Sequence, residues 1–172
     1  MILRKSLAWA GNPLAEQVHL FRVHRTNLGR RRWLERERMV ALWNSASDDE
    51  KVPIGLMLFG GLRRIEVLRL RVRTINFALD SATLKVCGNG MRWRSVPVPA
   101  ILWAVLRSQT PGMKPVDRIF PGNKITVDRA LSAAGSRAGC FPIRPNGTPE
   151  LSNHDLRRTY IRQMLGTGKV GL

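Results

Sequence analysis

The side chains in this sequence best suited to handling an oxyanion fall in two stretches. Arg63 and Glu66 lie in GGLRRIEVLRL, residues 60–70, and His154 and Arg157 lie in LSNHDLRRTYIRQMLGTG, residues 151–168. Planar guanidinium forks hold the oxygens of an anion in a fixed geometry, a task for which lysine is the poorer clamp. Plainer readings stand beside this one. His154 also reads as a satisfied core histidine near a helix start, and Arg157 as the partner of a carboxylate elsewhere; on the residues alone these weigh equally with an anion site. Arg63 and Glu66, three apart, also read as a structural ion pair on a helix.

The elements that must position these residues can be read from punctuation and periodicity. Ser152 followed by Asp155 is a capping-box-like start, and Gly166 and Gly168 supply a stop, so the spacing predicts a helix from Asn153 to Leu165. Leu156, Tyr160, Ile161, Met164 and Leu165 share one broad face, with His154 and Arg157 on that side. Asp155, Arg158, Thr159, Arg162 and Gln163 share the other. An arginine on a packed face is out of place unless something anionic meets it. Upstream, Leu34 to Ala46 reads as an amphipathic helix with Met39, Leu42, Trp43 and Ala46 on the core side, ended by Asp48-Asp49-Glu50. Ile54 to Phe59 is apolar but too short to assign by periodicity, and Gly60-Gly61 interrupts it. Arg63 falls on a helix side, with Val67 and Leu70, that should be packed. Ala82 to Cys87 alternates with Leu84 and Val86 on one face, Gly88-Asn89-Gly90 turns, and Arg92 to Val98 alternates again, which predicts a hairpin. Helices follow at Pro99 to Gln109, with Ile101, Leu102, Val105 and Leu106 inward, and at Lys124 to Ala138, with Val127, Leu131 and Ala134 inward and Gly139 closing it.

A chain of 172 residues buries one good core, so one main domain is expected. With 29 Lys+Arg against 12 Asp+Glu the net charge is +17, which points to a polyanion, nucleic acid by default. Arginine is dense from Arg22 to Arg38, with Arg30, Arg31 and Arg32 consecutive and Trp33 beside them. Each alone reads as a solvated charge, but together they can grip a phosphate backbone. No apolar run is long enough to span a bilayer and no signal-peptide pattern is present, so membrane attachment is the weaker alternative. Cys87 and Cys140 lack metal-site spacing and do not make a disulfide framework; no metal is expected, and the compartment reads as cytoplasmic.

The two stretches together resemble the tyrosine recombinases, the phage integrase family. H-D-L-R-R-T resembles the family's second signature box, and G-L-R-x-x-E-x-x-x-L its first, at the Gly, Leu, Arg, Glu and Leu positions. The resemblance covers about Leu34 to Gly168. It implies an α+β, mainly α-helical catalytic domain with a small antiparallel β-sheet, acting on double-stranded DNA, with other recombinase protomers, in site-specific recombination or integration. By resemblance Arg63, His154 and Arg157 clamp the scissile phosphate and Glu66 supports them, while Arg30, Arg31, Arg32, Arg92 and Arg94 are candidate DNA contacts. In the family a tyrosine attacks the phosphate to form a 3′-phosphotyrosyl link, which conserves bond energy so that no metal, nucleotide or other cofactor is required. The hairpin lysine of the family donates a proton to the departing 5′ oxygen; here Asn89 stands in its place, and an amide cannot supply that proton. Arg92 can replace the charge but is a poor acid, and Lys85 reads as a solvated lysine. The family's nucleophile follows the second box. This chain carries one tyrosine, Tyr160, on the box-two helix, where core packing is the expected role, so no nucleophile is assigned.

The resemblance also divides the chain. Residues 1–33 read as a remnant of a preceding DNA-clamping domain and a basic linker, with a helix end at Ile2 to Ala10 broken by Gly11-Asn12-Pro13; residues 34–172 read as an integrase-like catalytic domain cut short before the nucleophile. The chain on its own is then expected to be inactive. Three rivals remain: a non-catalytic DNA-binding remnant, a basic RNA-binding protein of ribosomal type, and a type IB topoisomerase, which shares the architecture.

Overall fold

The computed structural model describes residues 33–79, 81–88 and 91–166. The expectations for Ile2 to Ala10, Gly11-Asn12-Pro13, Arg30, Arg31, Arg32, Asn89, Gly90 and Gly168 lie outside these residues. The described chain runs through α1 (Arg36–Ser45), α2 (Asp48–Leu58), α3 (Arg64–Arg69), a 3-10 turn (Val72–Thr74), β1 (Ile75–Phe77), β2 (Ala82–Cys87), β3 (Trp93–Val98), α4 (Ala100–Gln109), α5 (Lys124–Ala138) and α6 (Asn153–Gly166).

The other helices gather on α2. Every residue from Val52 to Leu58 is buried, and α1, α3, α4, α5 and α6 all contact this helix. A helix that is apolar all round must lie inside. The apolar run at Ile54 is therefore the second half of α2. Asp48-Asp49-Glu50 begins this helix instead of ending the previous one: the Ser47 N–H donates to Glu50 Oε2 at 2.9 Å, and three carboxylates in the first turn complement the positive end of the helix dipole. Arg137, at the end of α5, donates to the Ser45 carbonyl at 2.8 Å and pairs with Glu50, which ties the α1–α2 corner to α5.

The sheet is antiparallel in the order β1-β2-β3. Leu84 lies opposite Val96, and Ala82 opposite Val98. These residues and Val86 face the core, whereas Lys85, Trp93 and Ser95 face outward. Strand β1 pairs Ile75 with Leu84 and has no counterpart among the sequence expectations; three residues are too few to show alternation. In α5, Val127, Leu131 and Ala134 are buried as the spacing predicts, and Gly139 ends the helix in the left-handed region. In α4 the buried stripe is narrower than expected. Leu102 and Leu106, four apart, are fully buried, but Ile101 is 44% exposed.

Helix α6 is turned relative to its predicted faces. Asp155, Leu156 and Thr159 are buried, while Ile161 and Leu165 are exposed. The polar pair tolerates burial because its groups are satisfied. Asp155 Oδ2 accepts from the Ser152 N–H at 3.0 Å and from its hydroxyl at 2.7 Å. The Thr159 hydroxyl donates to the Asp155 carbonyl at 2.7 Å and accepts from the Leu34 N–H at 2.8 Å. No helix of the described residues is long and apolar enough to cross a membrane.

Candidate functional site

The turn between α2 and α3 places the first arginine. The Leu62 N–H donates to the Leu56 carbonyl at 3.1 Å, and Gly61 takes φ +61°, a left-handed conformation that glycine adopts without a Cβ penalty. Arg63 is then the extended residue capping α3, with 47% of its side chain exposed. It was expected on a packed helix face; because α3 starts one residue later, its guanidinium reaches solvent.

Glu66 lies behind it, 3% exposed. Glu66 Oε2 accepts from the Arg63 N–H at 2.7 Å, and Oε1 lies 3.4 Å from Arg63 Nη1. Arg94, from β3, donates both fork nitrogens to the same carboxylate, at 2.9 and 2.7 Å. Burial pushes the Glu66 carboxyl up, but the Arg94 hydrogen bonds, the Arg63 backbone bond and the two guanidinium charges outweigh it and hold the group below its ordinary value. The Arg94 guanidinium, expected as a DNA contact, is thus engaged by Glu66, and its pKa is raised chiefly by that hydrogen bond. A Cβ at Gly88 would lie 3.3 Å from Arg94 Nη1 and 3.5 Å from Glu66 Oε1, so the end of β2 rests directly on this ion pair.

Arg157 comes from α6 and donates to the Gly61 carbonyl. Among the described residues no carboxylate hydrogen-bonds it. Burial lowers its pKa first, and the like charges of Arg63 and Arg94 lower it further, with Glu66 and Tyr160 acting in the opposite direction. A half-buried cation with two cations as neighbours is a site short of an anion. Arg63, Arg157 and the exposed His154 line one cleft of about 460 Å³. The Tyr160 ring lies over Gly61, where an added Cβ would come within 2.2 Å of it. Arg92 and Lys85 are exposed and line no part of the cleft.

Two contributors escaped the sequence. Lys124, the first residue of α5, also lines the cleft; a lysine in a first turn opposes the helix dipole, and that is the signal that marks it. Asp128, one turn further along α5, accepts from Arg64 at 2.8 and 2.6 Å and from the Asn153 amide at 2.5 Å. It thereby holds the starts of α3 and α6 together, although nothing in its sequence context distinguishes it from a surface aspartate. Among the described residues no group of three His, Cys, Asp or Glu side chains could hold a metal ion.

No protein-family model matches the chain, and no curated protein matches it. Solved structures do. The XerH site-specific recombinase bound to its difH substrate in a pre-cleavage complex superposes with a TM-score of 0.62 at 16% identity, covering 80% of this chain and 44% of that one. The post-cleavage XerH complex on a palindromic difH substrate gives 0.61 at 16% identity, covering 80% and 43%. XerA recombinase gives 0.63 at 17% identity, covering 80% and 52%. The chain thus spans about half the length of the structures it matches, and it has a tyrosine-recombinase-like fold.

Proposed function

We propose that this chain grips the phosphodiester backbone of double-stranded DNA as the catalytic-domain region of a site-specific tyrosine recombinase, working with other protomers on DNA in the cytoplasm. In this reading residues 34–172 form the catalytic-domain region and residues 1–33 a basic lead-in whose Arg30, Arg31 and Arg32 contact the backbone. The observation that carries it is the convergence of Arg63 and Arg157, from opposite ends of the domain sequence, on one cleft with Arg157 unmatched by any carboxylate among the described residues. Each arginine would hold a non-bridging oxygen, His154 would add a hydrogen bond, and Glu66 with Arg94 would fix the Arg63 backbone. Lys124 supplies a further positive charge at the cleft wall.

Binding tests this directly. Affinity for a duplex should fall steeply with salt, because gripping phosphates releases counterions. Arg63→Ala and Arg157→Ala should each weaken binding by roughly tenfold, the scale of a charge-assisted hydrogen bond, with the circular-dichroism spectrum unchanged. Affinity that stays flat between low and physiological salt would sink the proposal.

A second reading, a DNA binder that does not cut, is favoured by Asn89 in the sequence and by the packing of Tyr160 on Gly61. Strand cleavage needs a phenol oxygen to attack phosphorus while the bond to the 5′ oxygen breaks and that oxygen takes a proton. With its one tyrosine engaged in packing, the 172-residue chain is expected to form no covalent adduct on a nicked substrate, and Asn89→Lys to restore none. A slower band on denaturing gels that vanishes in Tyr160→Phe would instead identify Tyr160 as the nucleophile.

A further inference from the structure

We infer that the outward face of the β2–β3 hairpin is a stacking platform for an unpaired DNA base, built on Trp93 and flanked by Lys85 and Arg92. The inference rests on the DNA-binding reading and deepens it. Trp93 is 64% exposed at the start of β3, and Met91 beside it is 81% exposed. The register pairs Cys87 with Trp93 and Lys85 with Ser95, which puts Lys85 diagonally across from the indole on the same face. Lys85, Trp93, Arg94 and Ser95 border an open hollow of about 420 Å³, separate from the arginine cleft.

The charge around the indole selects the occupant. No acidic residue occurs from Ala82 to Val98. Glu66, which shares a small pocket with Trp93, is already held by Arg63 and Arg94. An exposed aromatic ring with Lys85 diagonally across from it and Arg92 next to it in the chain suits a π-face attached to a phosphate. A protein partner would need a broader apolar area than Trp93 and Met91 provide, since the remaining outward positions on β2 and β3 include Lys85 and Ser95. A fully paired duplex hides its base faces in its own stack, so the ring needs a base that is unpaired or turned out. Through the two-pronged contact of Arg94 with Glu66, the hairpin is fixed to the element that carries Arg63.

The test uses the full chain and three DNAs of one sequence: a paired duplex, the duplex with a single-base bulge, and the same bulge carrying an abasic residue. The last two have equal phosphate charge. The wild-type protein should prefer the bulged base to the abasic bulge by roughly tenfold, the scale of one aromatic–base stack. Trp93→Ala should bring that ratio to about one, and Trp93→Phe should keep part of it. Equal binding of the two bulges by the wild type, with steep salt dependence on the paired duplex, overturns the platform and leaves the DNA reading standing. A Trp93→Ala loss of the same factor on all three DNAs also overturns it, as does a loss of self-association with no change in any of them. A protein that binds none of the three overturns the DNA reading itself.

Discussion

Gly61→Ala is expected to destabilise the protein by roughly 3 kcal/mol, from the left-handed backbone and overpacking acting together. At φ +61° a Cβ collides with its own backbone whatever surrounds it, and here it would also sit 2.2 Å from the Tyr160 ring. The two contributions can be separated. In a Tyr160→Ala background the collision with the ring is gone, so the added cost of Gly61→Ala should shrink to about 1 kcal/mol, the backbone contribution alone. Urea denaturation of the four proteins measures this. Equal costs in both backgrounds would show that the ring yields freely. Because the Gly61 carbonyl also accepts from Arg157, the same variant should lose DNA affinity even at temperatures where it stays folded.

Glu66→Ala should cost about 3 kcal/mol. The value lies at the lower edge of what breaking a buried ion pair costs, because Arg94 keeps 35% of its side chain in water and is screened accordingly. Glu66→Gln keeps the shape and exposes the electrostatic part through its pH dependence. The folded carboxyl titrates below its ordinary value of 4.5, so its stabilisation is fully present above that pH and is lost as pH falls through the folded value. The stability gap between wild type and Glu66→Gln, open at pH 7, should therefore narrow below about pH 4.5. A gap that persists unchanged in more acid solution would mean that hydrogen-bond shape, and not charge, accounts for Glu66.

Arg63, Glu66, His154 and Arg157 could be singled out by residue type and spacing, and the structure brings Arg63, His154 and Arg157 to one cleft with Glu66 hydrogen-bonded to the Arg63 backbone. The hairpin was legible because Leu84 and Val86 alternate with polar residues. Helix α2 was not, since a helix buried on every side carries no period to read. Its acidic first turn looked like a boundary for the same reason that it makes a good helix start. The faces of α6 were misjudged because residue type is a poor guide to burial once a side chain is satisfied locally, as Asp155 is by Ser152 and Thr159 by its own helix. Arg94 had to await the register of β3, which swings its fork onto Glu66. Lys124 reaches the cleft, and Asp128 the Arg64 and Asn153 side chains that line it, only through the packing of α5 beside α3 and α6, which is a long-range outcome that no local window contains.

The hydrogen bond from Leu34 to Thr159 joins residues 125 positions apart, and the Arg162 guanidinium lies 3.9 Å over the Trp33 ring at the same seam. Contacts of such span close late, because the chain entropy of a long loop must be overcome before they return anything. During synthesis Arg63 and Arg94 emerge well before α6, with Glu66 between them to cancel much of their charge. Arg157 arrives only with the helix that closes the seam. The cleft therefore acquires its full positive character in the same step that closes this seam.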